Sequence, residues 1–348
     1  MTTSTGHRLD PTLAQATGAV AVALGSPIAS VAAVGNGSGR VARVSLADGR
    51  VIAVKRFPSD GPNASSAAAA LRVLHGRGAH VPEPLGWGDD TRGAYGWLAM
   101  AWAGDQSLDA ALQDQHMGSP EANVLGLGLV EAVATVEAAF APLSGPPTPR
   151  DASAMLRQLL HPWTLAAPAA LAWLGVPFDT ARLEENLERI GAVAMASPLS
   201  VGPLDYHAGN VVVEGRGART TIVDLDHVGW DWPARRMVQY AFATGAARAK
   251  SRGTFRLALA VPEVRDAASA ALALVHGGDV ATWRDAIVAH AIILVATAAW
   301  HLRQVVEGSA DPARATAWQN VDGRREALRT LAGELLSPAE RYEAPSLP

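Results

Sequence analysis

The stretch "PLDYHAGNVVV", residues 203–213, sets a carboxylate (Asp205), a histidine (His207), a glycine (Gly209) and an amide (Asn210) on one short segment that runs directly into three valines. The valines read as a buried strand, since a β-branched run bounded by polar residues suits a covered sheet. A second strand follows a glycine-bearing turn at 214–219, and "TTIVDLDHVGW" (220–230) places Asp224 and Asp226 at its end. Two adjacent strands therefore deliver Asn210 and Asp224 close together, with Asp205 just ahead. An isolated Asp-x-x-x-x-Asn is more often an ordinary polar loop, so the rest of the chain decides its meaning.

At 348 residues the chain can hold one large domain or two lobes with ample core. Apolar residues make up 49% and charged ones 18%, the composition of a globular protein. A net charge of −4 and the lack of a dense Lys/Arg cluster exclude a nucleic-acid footprint, which needs a basic face. Cysteine is absent, which removes disulfides and thiolate metal sites and fits a cytoplasmic location. The opening "MTTSTGHRLDPT" has neither a basic start nor an apolar run, so no signal peptide is expected. The longest apolar run, "AIVAHAIILVATAAW" (286–300), is short and contains His290; it reads as a core helix and not as a membrane span.

Outward from the opening stretch, the texture divides. Residues 11–24 form an apolar, Ala-rich helix. The region 30–57 then shows three consecutive antiparallel strands, at 30–34, 40–46 and 50–57, around Gly35, Gly37 and Gly39 and the turn "ADGR" (47–50). Asn63, Ser65 and Ser66 offer caps for a helix to about His75, and "VPEPLGW" and "YGWLAMAW" add two strands. Beyond "AGDQS" (103–107) the chain turns helical. Ser119-Pro120 opens a helix to about Phe140, the linker "PLSGPPTP" (142–149) follows, and a helix over 180–195 aligns Leu183, Leu187 and Ile190. Strands return only around 199–230, and 233–336 is helical again. Lys55 ends the strand "VIAVK", and a lysine at a buried strand end needs an anionic partner, side chain or ligand.

Glycine turn, strand lysine, Asp-x-x-x-x-Asn and a later strand-end Asp are the parts that phosphoryl transfer needs, in order. From about residue 30 to 245 this set resembles the aminoglycoside phosphotransferase family, which includes antibiotic, choline and sugar kinases and shares the protein kinase-like fold. That family's loop usually reads His-Gly-Asp-Leu-His-x-Gly-Asn; here it reads "PLDYHAGN". The resemblance implies a bilobal α+β fold: residues 1–102 as a nucleotide-binding lobe with a small antiparallel sheet and one main helix, residues 103–348 as a larger, mostly helical lobe. It implies Asp205 as the catalytic Asp, Asn210 and Asp224 as Mg²⁺ ligands, and Lys55 on the α- and β-phosphates. Gly35, Gly37 and Gly39 would cover the phosphates, and "LAMAWAG" (98–104), with Met100 and Trp102, would meet the base of ATP, with GTP as the alternative. His207 would shape the loop, and Asp226 fills a second acidic place. The implied reaction moves a γ-phosphate to a hydroxyl of an antibiotic, sugar or amino alcohol, with antibiotic resistance as one possible setting.

Three residues depart from the family pattern. The helix "SSAAAALRVL" has alanines, Ala70 in the best alignment, where the family places the glutamate that pairs with the lysine. Pro203 replaces the histidine before the catalytic Asp. In "WDWPARRMVQYA", Arg236 stands where a second, loop-supporting aspartate is expected. Either Tyr206 and Arg236 brace the loop and transfer proceeds, or the chain is a catalytically impaired nucleotide- or ligand-binding protein. Without the helix glutamate, Lys55 is expected to be loosely held in the absence of ligand and to take its orientation from the phosphates, from Asp224 or from a carboxylate elsewhere in the chain. Arg236 is expected either to touch residues 203–206 or to face solvent. For the acceptor, Trp283, Trp300 and Trp318 form an aromatic box or, more commonly for such helices, plain core. Asp105, Asp109 and Asp231 suit ammonium groups, whereas His301 and Arg303 suit an anionic or neutral sugar.

Overall fold

The computed structural model describes residues 11–34, 40–58, 63–89, 95–113, 115–116, 118–143, 168–176, 197, 199–215, 219–243, 256–310, 312, 315, 318 and 320–336. Gly35, Gly37 and Gly39, the 180–195 helix and most of the 142–149 linker lie outside them. Five strands form one antiparallel sheet in the order β1-β2-β3-β5-β4: β1 Ile28–Val34, β2 Val41–Leu46, β3 Val51–Pro58, β4 Pro84–Asp89 and β5 Tyr95–Ala101. The turn between β2 and β3 is the one the sequence announces: Gly49 has φ +89°, and Asp48 accepts from the Arg50 amide at 3.0 Å. The fold is thus α+β, a sheet-bearing N-terminal region followed by a mostly helical one.

Strand alternation gives the sheet two faces. Ile52 and Val54 on β3, with Tyr95, Trp97 and Ala99 on β5, pack under the first helix, α1 (Pro11–Leu24), through its Leu13, Ala16 and Val20. Ala53 and Phe57, with Leu98 and Met100, belong to the main core on the other side. Lys55 lies between Ala53 and Phe57, so the pleat sends it to the face that meets the rest of the chain. That parity, set by sequence position alone, aims the lysine.

The helix α2 (Ala64–Gly76) is capped by Asn63, whose side chain accepts from Ser65 N at 2.7 Å. Its buried stripe is Ala64, Ala67, Ala68, Leu71 and Leu74, while Ala70 is only half-buried beside it. A two-residue strand, β6 (Gln106–Ser107), leads into α3 (Leu108–Gln113), and α4 (Pro120–Phe140) starts on a Ser119 cap with Pro at its first turn. Two short sheets then carry the opening stretch: β7 (Ser200–Pro203) pairs with β10 (Val228–Asp231), and β8 (Val211–Glu214) joins β6 and β9 (Arg219–Ile222). Helices α5 (Pro233–Ala241), α6 (Pro262–His276), α7 (Val280–Val306) and α8 (Val321–Leu336) complete the chain, with a pair of two-residue strands, β11 (Phe242–Ala243) and β12 (Arg256–Leu257), between α5 and α6. By length and composition the segments Pro120–Leu143 and Val280–Val306 could cross a membrane, but 56% and 72% of their apolar windows are buried inside the protein. They are the core against which α5, α6 and α8 pack.

Candidate active site

Antiparallel pairing of Pro203 with Val228 and of Gly202 with Gly229 brings β7 to the edge of the loop. The Leu204 amide extends the ladder by donating to His227 O at 2.9 Å. Residues 204–207 then turn, and Ala208–Asn210 make one 3₁₀ turn capped by His207, whose Nδ1 accepts from Gly209 N at 3.1 Å. A Cβ at Gly209 would lie 2.8 Å from that same Nδ1, so a side chain there would displace the cap. His207 thus shapes the loop, as its place in the motif implies. Asn210 donates its amide Nδ2 to Asp205 O at 2.9 Å, which commits the nitrogen to the loop and keeps the oxygen as an acceptor. Asp205 itself projects outward, with 52% of its side chain exposed and His207 Nε2 3.7 Å away.

Strands β8 and β9 are paired in register, and Val223 N donates to Asn210 O at 2.8 Å, so Asn210 and the end of β9 are joined through the backbone. Asp224 follows in the left-handed region, φ +62°. A non-glycine residue there is uncommon and Asp is among the types that tolerate it; the conformation lifts the carboxylate out of the strand. It meets Lys55 Nζ at 2.5 Å, and Asp226 bonds the same ammonium. Lys55 is buried and also lies 5.2 Å from the centre of the Phe57 ring. Burial pushes the Asp226 carboxyl up from its ordinary value, against the pull of Lys55, with the like charge of Asp224 adding to the rise. The expectation of a loosely held lysine is therefore corrected: Lys55 has no acid from α2, but it is clamped by the two aspartates after β9.

The support beneath the loop differs from both sequence expectations for Arg236. Its guanidinium is fully buried and neither reaches residues 203–206 nor faces solvent. It pairs with Glu137 of α4 through two bonds, 2.5 and 2.8 Å, and donates to Ser200 O at 3.2 Å and to the Ser200 hydroxyl. His276 Nε2 stands 3.0 Å from the same Glu137. Burial pushes the Glu137 carboxyl up, but the Arg236 charge and the hydrogen bonds from Arg236 and His276 outweigh it and hold it at about 2. Arg236 is packed so tightly under β7 that a Cβ on Gly202 would lie 2.7 Å from its central carbon. The brace therefore acts on the strand that leads to Asp205. Glu137 was not singled out by sequence reading; its signal was a lone acid on the apolar stripe of α4, four residues after Val133 and three before Phe140.

Tyr206 supplies the direct brace. Its hydroxyl bonds Asp231 Oδ2, its ring meets Tyr240 edge-on at 6.1 Å, and the Arg235 guanidinium lies 5.9 Å over its face. Asp231 also accepts from Trp232 N at 2.7 Å and pairs with Arg235 at 3.6 Å. At the end of β5 and just beyond it, Met100 is buried and Trp102 half-buried, its Nε1 donating to Asp105 at 3.0 Å and its ring 5.5 Å from the Arg43 guanidinium. The chain turns at Gly104, φ +140°, where a Cβ would collide with Val213 O at 2.8 Å.

The acceptor candidates divide. Trp283 is buried, bonds Gly277 O and stacks near His276, whereas Trp300 and Trp318 flank His301 at 4.8 and 6.1 Å. The three tryptophans do not make one box. Asp109 and Asp231 are buried, and Asp105 is held by Trp102 and Arg43, so these acids are not a free anionic cluster. Arg303 is paired with Glu307 at 2.7 Å.

Residues 31–270 match the sequence model described as the phosphotransferase enzyme family. No protein of curated function matches the sequence. Among solved structures, a putative aminoglycoside phosphotransferase from Ralstonia eutropha JMP134 is similar at 13% identity and TM-score 0.51, over 94% of this chain and 99% of that one. A macrolide 2′-phosphotransferase from Brachybacterium faecium is similar at 18% identity and TM-score 0.46, over 96% and 99% of the two chains.

Proposed function

This chain belongs to the phosphotransferase enzyme family, and we propose that it moves the γ-phosphoryl group of ATP, or of GTP, to a hydroxyl of a small molecule. The observation that supports this reading best is the convergence of Lys55, Asp224 and Asn210 beside an outward-facing Asp205, from segments that lie far apart in the chain. The donor set suits Mg²⁺: a carboxylate and an amide oxygen, both hard ligands, leave the remaining positions to water and phosphate. Asp224 and Asn210 would hold the ion, Lys55 would meet the phosphates, and Met100 with Trp102 would border the base. When bound, Mg²⁺-nucleotide supplies the transferable phosphoryl group and the charge that neutralises the acids. Asp205 would orient the acceptor hydroxyl and take its proton, which the exposure of its side chain permits. The acceptor is a small hydroxylated molecule; an antibiotic, a sugar and an amino alcohol all fit that description.

The active reading is favoured over a non-catalytic binder because the loop is braced despite its changed residues. Tyr206 holds the loop directly, and the Glu137–Arg236 pair holds the strand that leads into it. Thermal unfolding with nucleotide and Mg²⁺ tests binding, since a ligand of the native state raises Tm by mass action. ADP or GDP release over a panel of hydroxylated antibiotics, sugars and amino alcohols tests transfer. A Tm unmoved by either nucleotide, with or without Mg²⁺, refutes both readings.

A further inference from the structure

We infer that Asp226 is the residue that orients Lys55 for nucleotide, in place of a carboxylate on the sheet-covering helix; this rests on the functional reading above. Helix α2 has no acid in "NASSAAAALRVLHG" (63–76), and it packs on β4 and β5. The lysine finds both its carboxylates in the four residues after β9.

The two carboxylates are not equivalent. Asp224 is 40% exposed, stands on a left-handed residue and follows the backbone bond to Asn210. It is free to turn toward a cation brought by a ligand. Asp226 is enclosed, 14% exposed, with the Lys55 ammonium against it. A carboxylate that deep is costly to leave without a counter-charge, so the Asp226–Lys55 pair persists when Asp224 turns away. An ammonium has three N–H donors. One stays on Asp226, and the others become available to phosphate oxygens. The phosphate-binding lysine is then fixed to the metal-loop strand directly, across 171 residues of chain, and α2 takes no part in holding it.

The test is a double-mutant cycle on nucleotide affinity, by calorimetry on the full chain, using whichever of ATP and GTP the wild type binds. Wild type, Asp226→Asn, Lys55→Met and the double variant are titrated in Mg²⁺ and again in EDTA. Asp226→Asn should weaken binding about tenfold in both conditions, and the double variant should bind no worse than Lys55→Met alone. Three results overturn the inference: an effect seen only with Mg²⁺, which makes Asp226 a metal ligand; an effect of equal size with Lys or Met at position 55; or no effect. If Asp226→Asn does not fold, as read by circular dichroism, Asp226→Glu carries the same cycle, with a smaller loss that Lys55→Met again erases. A wild type that binds no nucleotide overturns the functional reading as well, whereas lost coupling with wild-type binding intact overturns this inference alone.

Discussion

Two charged clusters lie within a few residues of each other along β7, and they are built on opposite terms. Behind the strand, Glu137 and Arg236 are 1% and 0% exposed in their side chains, and their bonds among the described residues join them to each other, to Ser200 or to His276. In front, Asp205, His207 and Asp224 keep 52%, 42% and 40% of their side chains open to solvent. The contrast separates holding from reacting. A dry ion pair tolerates poorly the loss of either partner alone and so fixes a strand, while a carboxylate that must meet a substrate and trade protons stays wet. The buried cluster is the scaffold, and the exposed one is where chemistry would occur.

The largest expected effect breaks the exposed cluster alone. Asp205→Asn should lower turnover of a confirmed acceptor by about a thousandfold while nucleotide affinity stays nearly intact. Turnover at the wild-type rate would remove Asp205 from the reaction. On the dry side, Arg236→Ala leaves Glu137 without its main counter-charge and should cost about 3–5 kcal/mol in urea unfolding. The paired change Glu137→Leu with Arg236→Met should cost less than either single change, because apolar replacement of both partners removes the desolvation penalty with the pair.

Acid should find the buried side first. His290, fully buried in α7, is held neutral by burial, its pKa lowered from 6.5 to about 3. The unfolded chain takes up that proton below pH 6.5, so the stability this group contributes is complete above 6.5 and is lost as pH falls toward 3. Glu137, lowered from 4.5 to about 2, contributes fully above pH 4.5 and loses its share between there and pH 2. Tm measured against pH should therefore decline in two windows. His290→Leu should flatten the upper one and, because neither ring nitrogen has a partner among the described residues, raise stability near neutrality by about 1 kcal/mol. The smallest effect belongs to the exposed rim: Asp105→Ala should change stability by less than about 1 kcal/mol, since Asp105 is 81% exposed.

The fold was legible wherever its determinants are local. Asn63 and Ser119 cap the helices that follow them, the Asp48-Gly49 turn joins two strands, and the valines after Asn210 form β8. The site's core was legible for the same reason, because the residues from Asp205 to Asn210 and those from Ile222 to Asp226 are each a few positions long. What escaped is non-local. Glu137 and Arg236 are 99 residues apart, and Lys55 meets Asp226 across 171 residues. No periodicity announces such pairs. The missing helix glutamate was readable as an absence, but its replacement by Asp226 needed the register of β3 and the backbone turn at Asp224.

The Glu137–Arg236 pair also constrains which substitutions the chain can accept. Restoring aspartate at position 236, the residue the family pattern expects, would set two carboxylates face to face in a dry site and strand Ser200 and His276 between them. Removing Glu137 first would strand the arginine instead. Each change is harmful alone, and only the two together are tolerable. The two positions are therefore coupled: the exposed rim can be changed one residue at a time, whereas these two must change in tandem.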